Sequence, residues 1–175
     1  MHRKSVLVAG CLVLAAALAC PAVAIASDDA APPEPLSWTK LGRVFGGGMV
    51  LDLTGLPEGG VLAGGAHRYP SARVWHSADG IGWEEIALPG RDHSMVRSVD
   101  AADGRILAVG VRSKPDGRPV TGVVWTSRDG REWTGRDVFE GAWPVDATAT
   151  TVGYAVVTTG HLQDGPQPIT VWHSA

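Results

Sequence analysis

The sequence predicts an all-β chain of about three four-stranded antiparallel units, and three observations carry that expectation. Val74-Trp75-His76-Ser77, Val124-Trp125-Thr126-Ser127 and Val171-Trp172-His173-Ser174 are one phrase in three copies, spaced by about 50 residues, the period of a stacked repeat. A second ladder, Trp38, Trp83 and Trp133, runs in phase with the first. Between these anchors lie short apolar or alternating runs bounded by Gly, Pro or Asp, with no helical period, which is the pattern of strands.

Taken in chain order, residues 1–26 read as a secretory signal peptide. His2, Arg3 and Lys4 precede an apolar run from Val6 to Ala19, and Ala24-Ile25-Ala26 offers a small-x-small cleavage site. The run is about 14 residues, short of the ~20 that cross a bilayer as a helix, so no transmembrane anchor is expected. Ala17-Leu18-Ala19-Cys20 gives an alternative in which Cys20 is lipidated and the protein is anchored as a lipoprotein. Both cysteines, Cys11 and Cys20, fall in this region, so cleavage after Ala26 leaves neither disulfide nor thiolate metal site in the fold. Residues 27–35, rich in Ala, Pro and acid, predict a disordered linker. Residues 36–175 remain, roughly 140 residues, enough for one modest domain. The net charge of −3 with no basic cluster makes nucleic acid an unsuitable partner.

Each copy supplies four strands. The inner ones are expected at Met49–Leu53, Met95–Ala101 and Val145–Thr150, and the second at Gly60–Gly65, Arg105–Val111 and Tyr154–Thr159. The third carries Val-Trp-x-Ser, and the outer one opens at the ladder Trp. A ~50-residue, four-stranded period of this kind belongs to propeller blades, so the fold class is a partial β-propeller.

Between third and fourth strands stand Ser77-Ala78-Asp79-Gly80-Ile81-Gly82-Trp83 and Ser127-Arg128-Asp129-Gly130-Arg131-Glu132-Trp133. A tight hairpin explains the choices: the Asp accepts from backbone N–H groups two or three residues on, and the Gly takes a positive φ. The Trp then folds beneath the turn, and its truncation is expected to cost about 3–5 kcal/mol. These motifs resemble the Asp-box, or BNR repeat, of sialidase-like propellers, in a shortened form with Gly directly after Asp and no Thr before the aromatic. The resemblance covers most of the chain after Leu36. It implies that Ser77, Asp79, Gly80, Trp83, Ser127, Asp129, Gly130 and Trp133 are structural and lie away from any active site. It leaves function open, because such motifs occur in glycosidases, receptors and adhesins alike.

The third copy reaches Ser174-Ala175 where Asp-Gly-x-x-Trp is expected, and Trp38-Thr39-Lys40-Leu41 matches an outer strand. Three arrangements fit: an incomplete form of a longer propeller, a homodimer completing a ring, and a three-bladed or open monomer. For a ligand site, aligning Gly59, Gly104 and Gly153 places Asp52, Arg97 and Asp146 at one equivalent position near the inner-strand starts, where they can converge on a polar ligand such as a sugar. Arg91 and His93 lie upstream on the same expected face, with the loops from His67 to Arg73, Arg112 to Val120 and His161 to Pro168. Polar lining and blade packing explain the same residues without a ligand. No catalytic residue is nominated: Tyr69 and Tyr154 lack a sialidase's partners, and Tyr154 aligns with Arg105 in copy two. His67, His93 and His161 have no ligand-like spacing, so neither metal nor cofactor is expected. The preferred function is a secreted, noncatalytic module binding a protein or glycan; the rival is a divergent or truncated sialidase-like glycoside hydrolase.

Overall fold

The structure, a computed structural model, describes residues 37–68, 70–116, 119–160 and 168–174. The expected signal peptide, linker, Tyr69 and the loop 161–167 lie outside the described residues. The chain divides into two units, Met1–Trp38 and Thr39–Ala175. In the first, only Ser37 and Trp38 are described, without regular secondary structure.

The second unit is all-β. Its strands are β1 (Met49–Gly55), β2 (Val61–Ala66), β3 (Ser71–Ser77), β4 (Glu84–Asp92), β5 (Ser94–Ala102), β6 (Arg105–Ser113), β7 (Pro119–Ser127), β8 (Trp133–Glu140), β9 (Ala142–Thr150), β10 (Gly153–Gly160) and β11 (Ile169–Ser174). They form three antiparallel sheets in the orders β1-β2-β3-β4, β5-β6-β7-β8 and β11-β10-β9. Within each sheet, neighbours in sequence are neighbours in space. Among the described residues there is no helix, and the sheets form no closed ring of blades.

The first two copies form four strands each, and the third, in which no Asp-Gly-x-x-Trp follows the phrase, forms three among the described residues, with β11 at its edge. Residues 37–43 do not form the strand that the match of Trp38 to Trp83 and Trp133 predicts. Among the described residues no strand pairs with that segment, and a Trp alone does not create one.

Apolar residues on facing sheets make the cores. Leu62, Val74 and Leu88 of the first sheet pack with Val96, Val99, Ile106, Ala108, Val123 and Trp125 of the second. Leu107, Val109 and Phe139 of the second pack with Val156 of the third. The phrase Trp is the anchor at each step. Trp125 is fully buried and its indole N–H donates to the Pro89 carbonyl of β4 at 2.9 Å. Trp172 sits against Phe139 of β8, with ring centres 5.2 Å apart. Trp75 meets Phe45, which precedes β1, at 5.4 Å. Each phrase Trp thus packs on the chain that precedes its own sheet.

Candidate functional site

The Asp-Gly turns form as their chemistry predicts. Asp79 Oδ1 accepts from the N–H groups of Ile81 at 2.8 Å and Gly82 at 2.9 Å; Asp129 Oδ1 accepts from Arg131 and Glu132, both at 2.9 Å. Ser77 Oγ and Ser127 Oγ accept from Gly80 and Gly130. Gly80 has φ 74° and Gly130 φ 72°, where a Cβ would strain the backbone. The N–H donors of Gly82 and then Ile81 hold the Asp79 carboxyl below its usual range, and those of Glu132 and then Arg131 do the same for Asp129. Trp83 and Trp133 fold back so that their indole N–H groups donate to the Gly80 and Gly130 carbonyls. Both rings stay half-buried. The hydrogen bonds of the Asp79 and Asp129 carboxylates run through Oδ1 and stay within their own turns.

Antiparallel order puts these turns at one end of each sheet, with the β1–β2 and β5–β6 hairpins. The β2–β3 and β6–β7 loops and the turns into β5 and β9 lie at the other end.

Across the inner strands the structure corrects the sequence alignment by one residue. Asp52 pairs with Gly64, Ser98 with Val109 and Asp146 with Val157. Those three partners in turn face Val74, Val124 and Val171 of the repeated phrase. Asp52, Ser98 and Asp146 are therefore equivalent, and Arg97 is not one of the set. Arg97 falls instead at a bulge between Val96 and Ser98, matched by Leu51 in β1 and Val145 in β9. Two causes displaced the alignment. The first hairpin is one residue longer than the second, and Gly153, opposite Thr150, is the counterpart of Arg105 rather than of Gly104. Tyr154 accordingly takes the place of Ile106, not of Arg105.

The corrected register exposes a polar clasp that the sequence alignment missed. Ser98 Oγ lies 2.9 Å from Asp52 Oδ2 and 2.9 Å from Asp146 Oδ1, and its single proton goes to one of them at a time. The Val99 N–H donates to Asp52 Oδ2 at 2.9 Å. Two residues along, Asp100 accepts from Thr148 Oγ1 at 2.7 Å, the Ala149 N–H at 2.9 Å and Thr54 Oγ1 at 3.2 Å. Burial raises the Asp100 carboxyl, but these donors and the Ala101 N–H outweigh it and hold the group below its usual range. The first and third sheets thus present Asp then Thr, and the middle sheet presents Ser then Asp. The signal was in the sequence as Asp52-Leu53-Thr54, Ser98-Val99-Asp100 and Asp146-Ala147-Thr148.

On the face opposite the Asp-Gly turns, Arg91 and His93 stand at the β4–β5 turn with exposed side chains. Their backbones are fixed: Ser94 Oγ donates to the Arg91 carbonyl, and the Ser113 N–H to the His93 carbonyl. His93 has φ 56°. Nearby, Arg112 donates to Asp137 at 2.7 Å and to the Gly90 carbonyl. A cleft of about 300 Å³ on this face is lined by His67, Arg68, Ser71, Arg73 and Glu85. Glu85 accepts from Arg73 Nε at 2.9 Å and meets His67 Nδ1 at 2.7 Å. Burial raises its carboxyl, and the His67 and Arg73 bonds together bring it below its usual range. Arg91, His93 and Arg97 make no side-chain hydrogen bond or ion pair among the described residues. Among the described residues no group of acidic, His and Cys side chains is placed to hold a metal ion.

No protein-family model matches the chain, and no curated protein matches it significantly. A structural likeness is found to sucrose-6-phosphate hydrolase from Lactobacillus gasseri, at 14% identity and a TM-score of 0.46. It covers 73% of this chain and 32% of that one, so the chain spans about a third of the length of the solved protein it matches.

Proposed function

We propose that this chain is a secreted, noncatalytic β-propeller-type module that binds a protein or glycan on the face opposite its Asp-Gly turns. The observation that carries the reading is a contrast in how charges are used. Asp52 engages both oxygens, and Asp146 its Oδ1, with Ser98, Val99 or the following residue. Arg91, His93 and Arg97 keep their side chains unengaged by the described residues. Unpaired guanidinium groups on a face with anchored turns suit a ligand carrying carboxylates, which they grip in a bidentate way. A glycan array containing acidic and neutral sugars, with an acidic-peptide panel alongside, tests this. Binding that is lost in Arg97→Ala and in the Arg91→Ala/His93→Ala double variant, with thermal stability unchanged, supports the reading; binding indifferent to all three substitutions refutes it.

A second reading, a divergent glycoside hydrolase, has one observation in its favour: Asp52 and Asp146 both reach the Ser98 hydroxyl, and paired carboxylates are what glycoside hydrolysis uses. The Leu53 and Val99 N–H groups donate to Asp52 and the Ala147 N–H to Asp146, however, whereas a glycosidase's acid must itself donate to the leaving oxygen. Turnover on a fluorogenic glycoside panel, abolished by Asp52→Asn or Asp146→Asn, would establish the hydrolase.

A further inference from the structure

The first copy carries two charged side chains where the second has none. Arg73 stands one residue before Val74 of the repeated phrase, the place of Val123 in the second copy and of Thr170 in the third. Glu85 lies opposite Trp75, where the second copy sets Gly135 opposite Trp125. Val123 is fully buried, and a Cβ on Gly135 would meet the Trp125 ring. The packing that the copies share therefore does not call for an arginine and a glutamate at these positions. In the first copy they join His67 in one cluster, with Glu85 accepting from Arg73 Nε at 2.9 Å and meeting His67 Nδ1 at 2.7 Å.

This cluster lines the cleft of about 300 Å³ together with Arg68 and Ser71, and its donors can be followed one by one. Arg73 Nη1 donates to Ser71 Oγ and to the Ala72 carbonyl, both at 2.9 Å. With Nε and Nη1 engaged, only the two Nη2 protons remain, so neither edge of the guanidinium offers the parallel pair of N–H groups that grips a carboxylate. Ser71 Oγ accepts from Arg73, and its own proton has no acceptor among the described residues. Both oxygens of Glu85 are taken; its carboxylate draws the His67 proton to Nδ1 and leaves Nε2 open. Arg68 is exposed and makes no side-chain hydrogen bond or ion pair among the described residues. Its backbone holds φ 46°, a left-handed conformation that favours glycine, in a loop whose ends are tied by the His67 N–H donating to the Ser71 carbonyl at 2.9 Å.

We propose that this cleft binds a sulfate ester carried by a glycan. Three residues each offer a donor, Arg73 through Nη2, Ser71 through its hydroxyl and Arg68 through its guanidinium. Single donors from three residues suit a tetrahedral oxyanion, whose oxygens point in different directions, better than a planar carboxylate that seeks one fork. Glu85 in the cleft, and Asp92 opposite Ser71 in the strand pair, oppose a second negative charge, which selects a singly charged sulfate ester over a phosphate monoester. His67 Nε2 accepts from a neighbouring sugar hydroxyl. The proposal rests on the reading of this face as a binding face, but on side chains of its own, since Arg91, His93 and Arg97 do not line the cleft.

The test is a calorimetric titration of the intact protein with a disaccharide bearing one sulfate ester, with its unsulfated parent, and with the same disaccharide phosphorylated at that position. Saturable binding of the sulfated sugar is expected, with the other two weaker by about tenfold or more. Arg68→Gly should weaken it about tenfold or more while the melting temperature stays within about 3 °C of wild type, since glycine accepts φ 46°. Ser71→Ala should weaken it about threefold or more. An unsulfated parent that binds as well, a phosphate ester that binds more tightly, full affinity in both variants, or no binding at about 10 mM sugar would overturn the proposal. So would sulfate binding that is lost in the Arg91→Ala/His93→Ala double variant and kept in Arg68→Gly, because the anion would then sit at the β4–β5 turn. Failure of the loop-face reading shows in the Arg91, His93 and Arg97 variants and failure of this one in Arg68→Gly and Ser71→Ala, so the two are told apart.

Discussion

Asp100→Ala tests the clasp between the inner strands. Asp100 joins three sheets by accepting from Thr148 Oγ1 at 2.7 Å, Ala149 N at 2.9 Å and Thr54 Oγ1 at 3.2 Å. Hydrogen bonds to a charged group are worth about 1.5–3 kcal/mol when well shielded. Asp100 is only half-buried and Thr148 is exposed, so water replaces much of what is lost; a discounted loss of about 2 kcal/mol follows for the set. Asp100→Asn, which keeps one acceptor oxygen, should lose about half of that. Urea unfolding at neutral pH measures both. In a double-mutant cycle, Asp100→Ala and Thr148→Val should be less than additive. The carboxyl is held below its ordinary range in the fold, so its contribution is complete above the unfolded value and disappears as pH falls through the folded one. The gap between wild type and Asp100→Asn should therefore close below about pH 4. An Asp100→Ala protein within about 0.5 kcal/mol of wild type would show that the clasp is incidental.

Gly65→Ala and Gly110→Ala should each destabilise by more than about 3 kcal/mol or prevent folding, because the new Cβ meets the Met49 or Met95 carbonyl oxygen across the β1–β2 or β5–β6 pair and backbone cannot give way. Gly55→Ala, at a site with open space, should stay within about 0.5 kcal/mol in the same thermal and urea melts. Trp125→Ala should cost about 3–5 kcal/mol, since the ring is fully buried and its N–H is bonded. Trp83→Ala should cost less than Trp125→Ala by chemical denaturation, below the about 3–5 kcal/mol expected from the sequence, because its ring remains half-buried. Asp129→Ala should speed amide exchange at Arg131 and Glu132 before it alters exchange in β6, because the carboxylate serves its own turn.

The line between what was legible in the sequence and what was not runs along strand register. The repeated Val-Trp-x-Ser phrase and the Asp-Gly turns could be read because each depends on residues a few places apart, where local chemistry dictates the residue type. The equivalence of inner-strand residues could not, because it passes through hairpins of unequal length and turn glycines that are not counterparts. One extra turn residue shifts a count made from the turn glycine by one side chain, which selects the wrong face. Arg97 was drawn into the candidate set that way, and Ser98 and Asp100 were left out. The exposure of Trp172 against the burial of Trp75 was equally hidden, since identical phrases differ only in whether an outer strand lies beside them.

The clasp also explains why the middle sheet inverts the order of its neighbours. If all three sheets presented Asp and then a hydroxyl, one level would hold three carboxylates and the other three hydroxyls, so that like charges would meet where the strands converge. With Ser98 beside Asp52 and Asp146, and Asp100 beside Thr54 and Thr148, each side-chain pair of the clasp joins a carboxylate to a hydroxyl. The swap Ser98→Asp/Asp100→Ser retains composition and removes that alternation. Ser98 is 2% exposed, so a carboxylate there is poorly hydrated and faces two others. A loss of about 3 kcal/mol or more is expected at neutral pH. Repulsion among the three raises their folded pKa values above the unfolded ones, so the penalty should shrink as pH falls through that raised range, the reverse of the wild-type trend at Asp100. A swapped protein as stable as wild type at neutral pH would mean that the alternation plays no part in holding the sheets together.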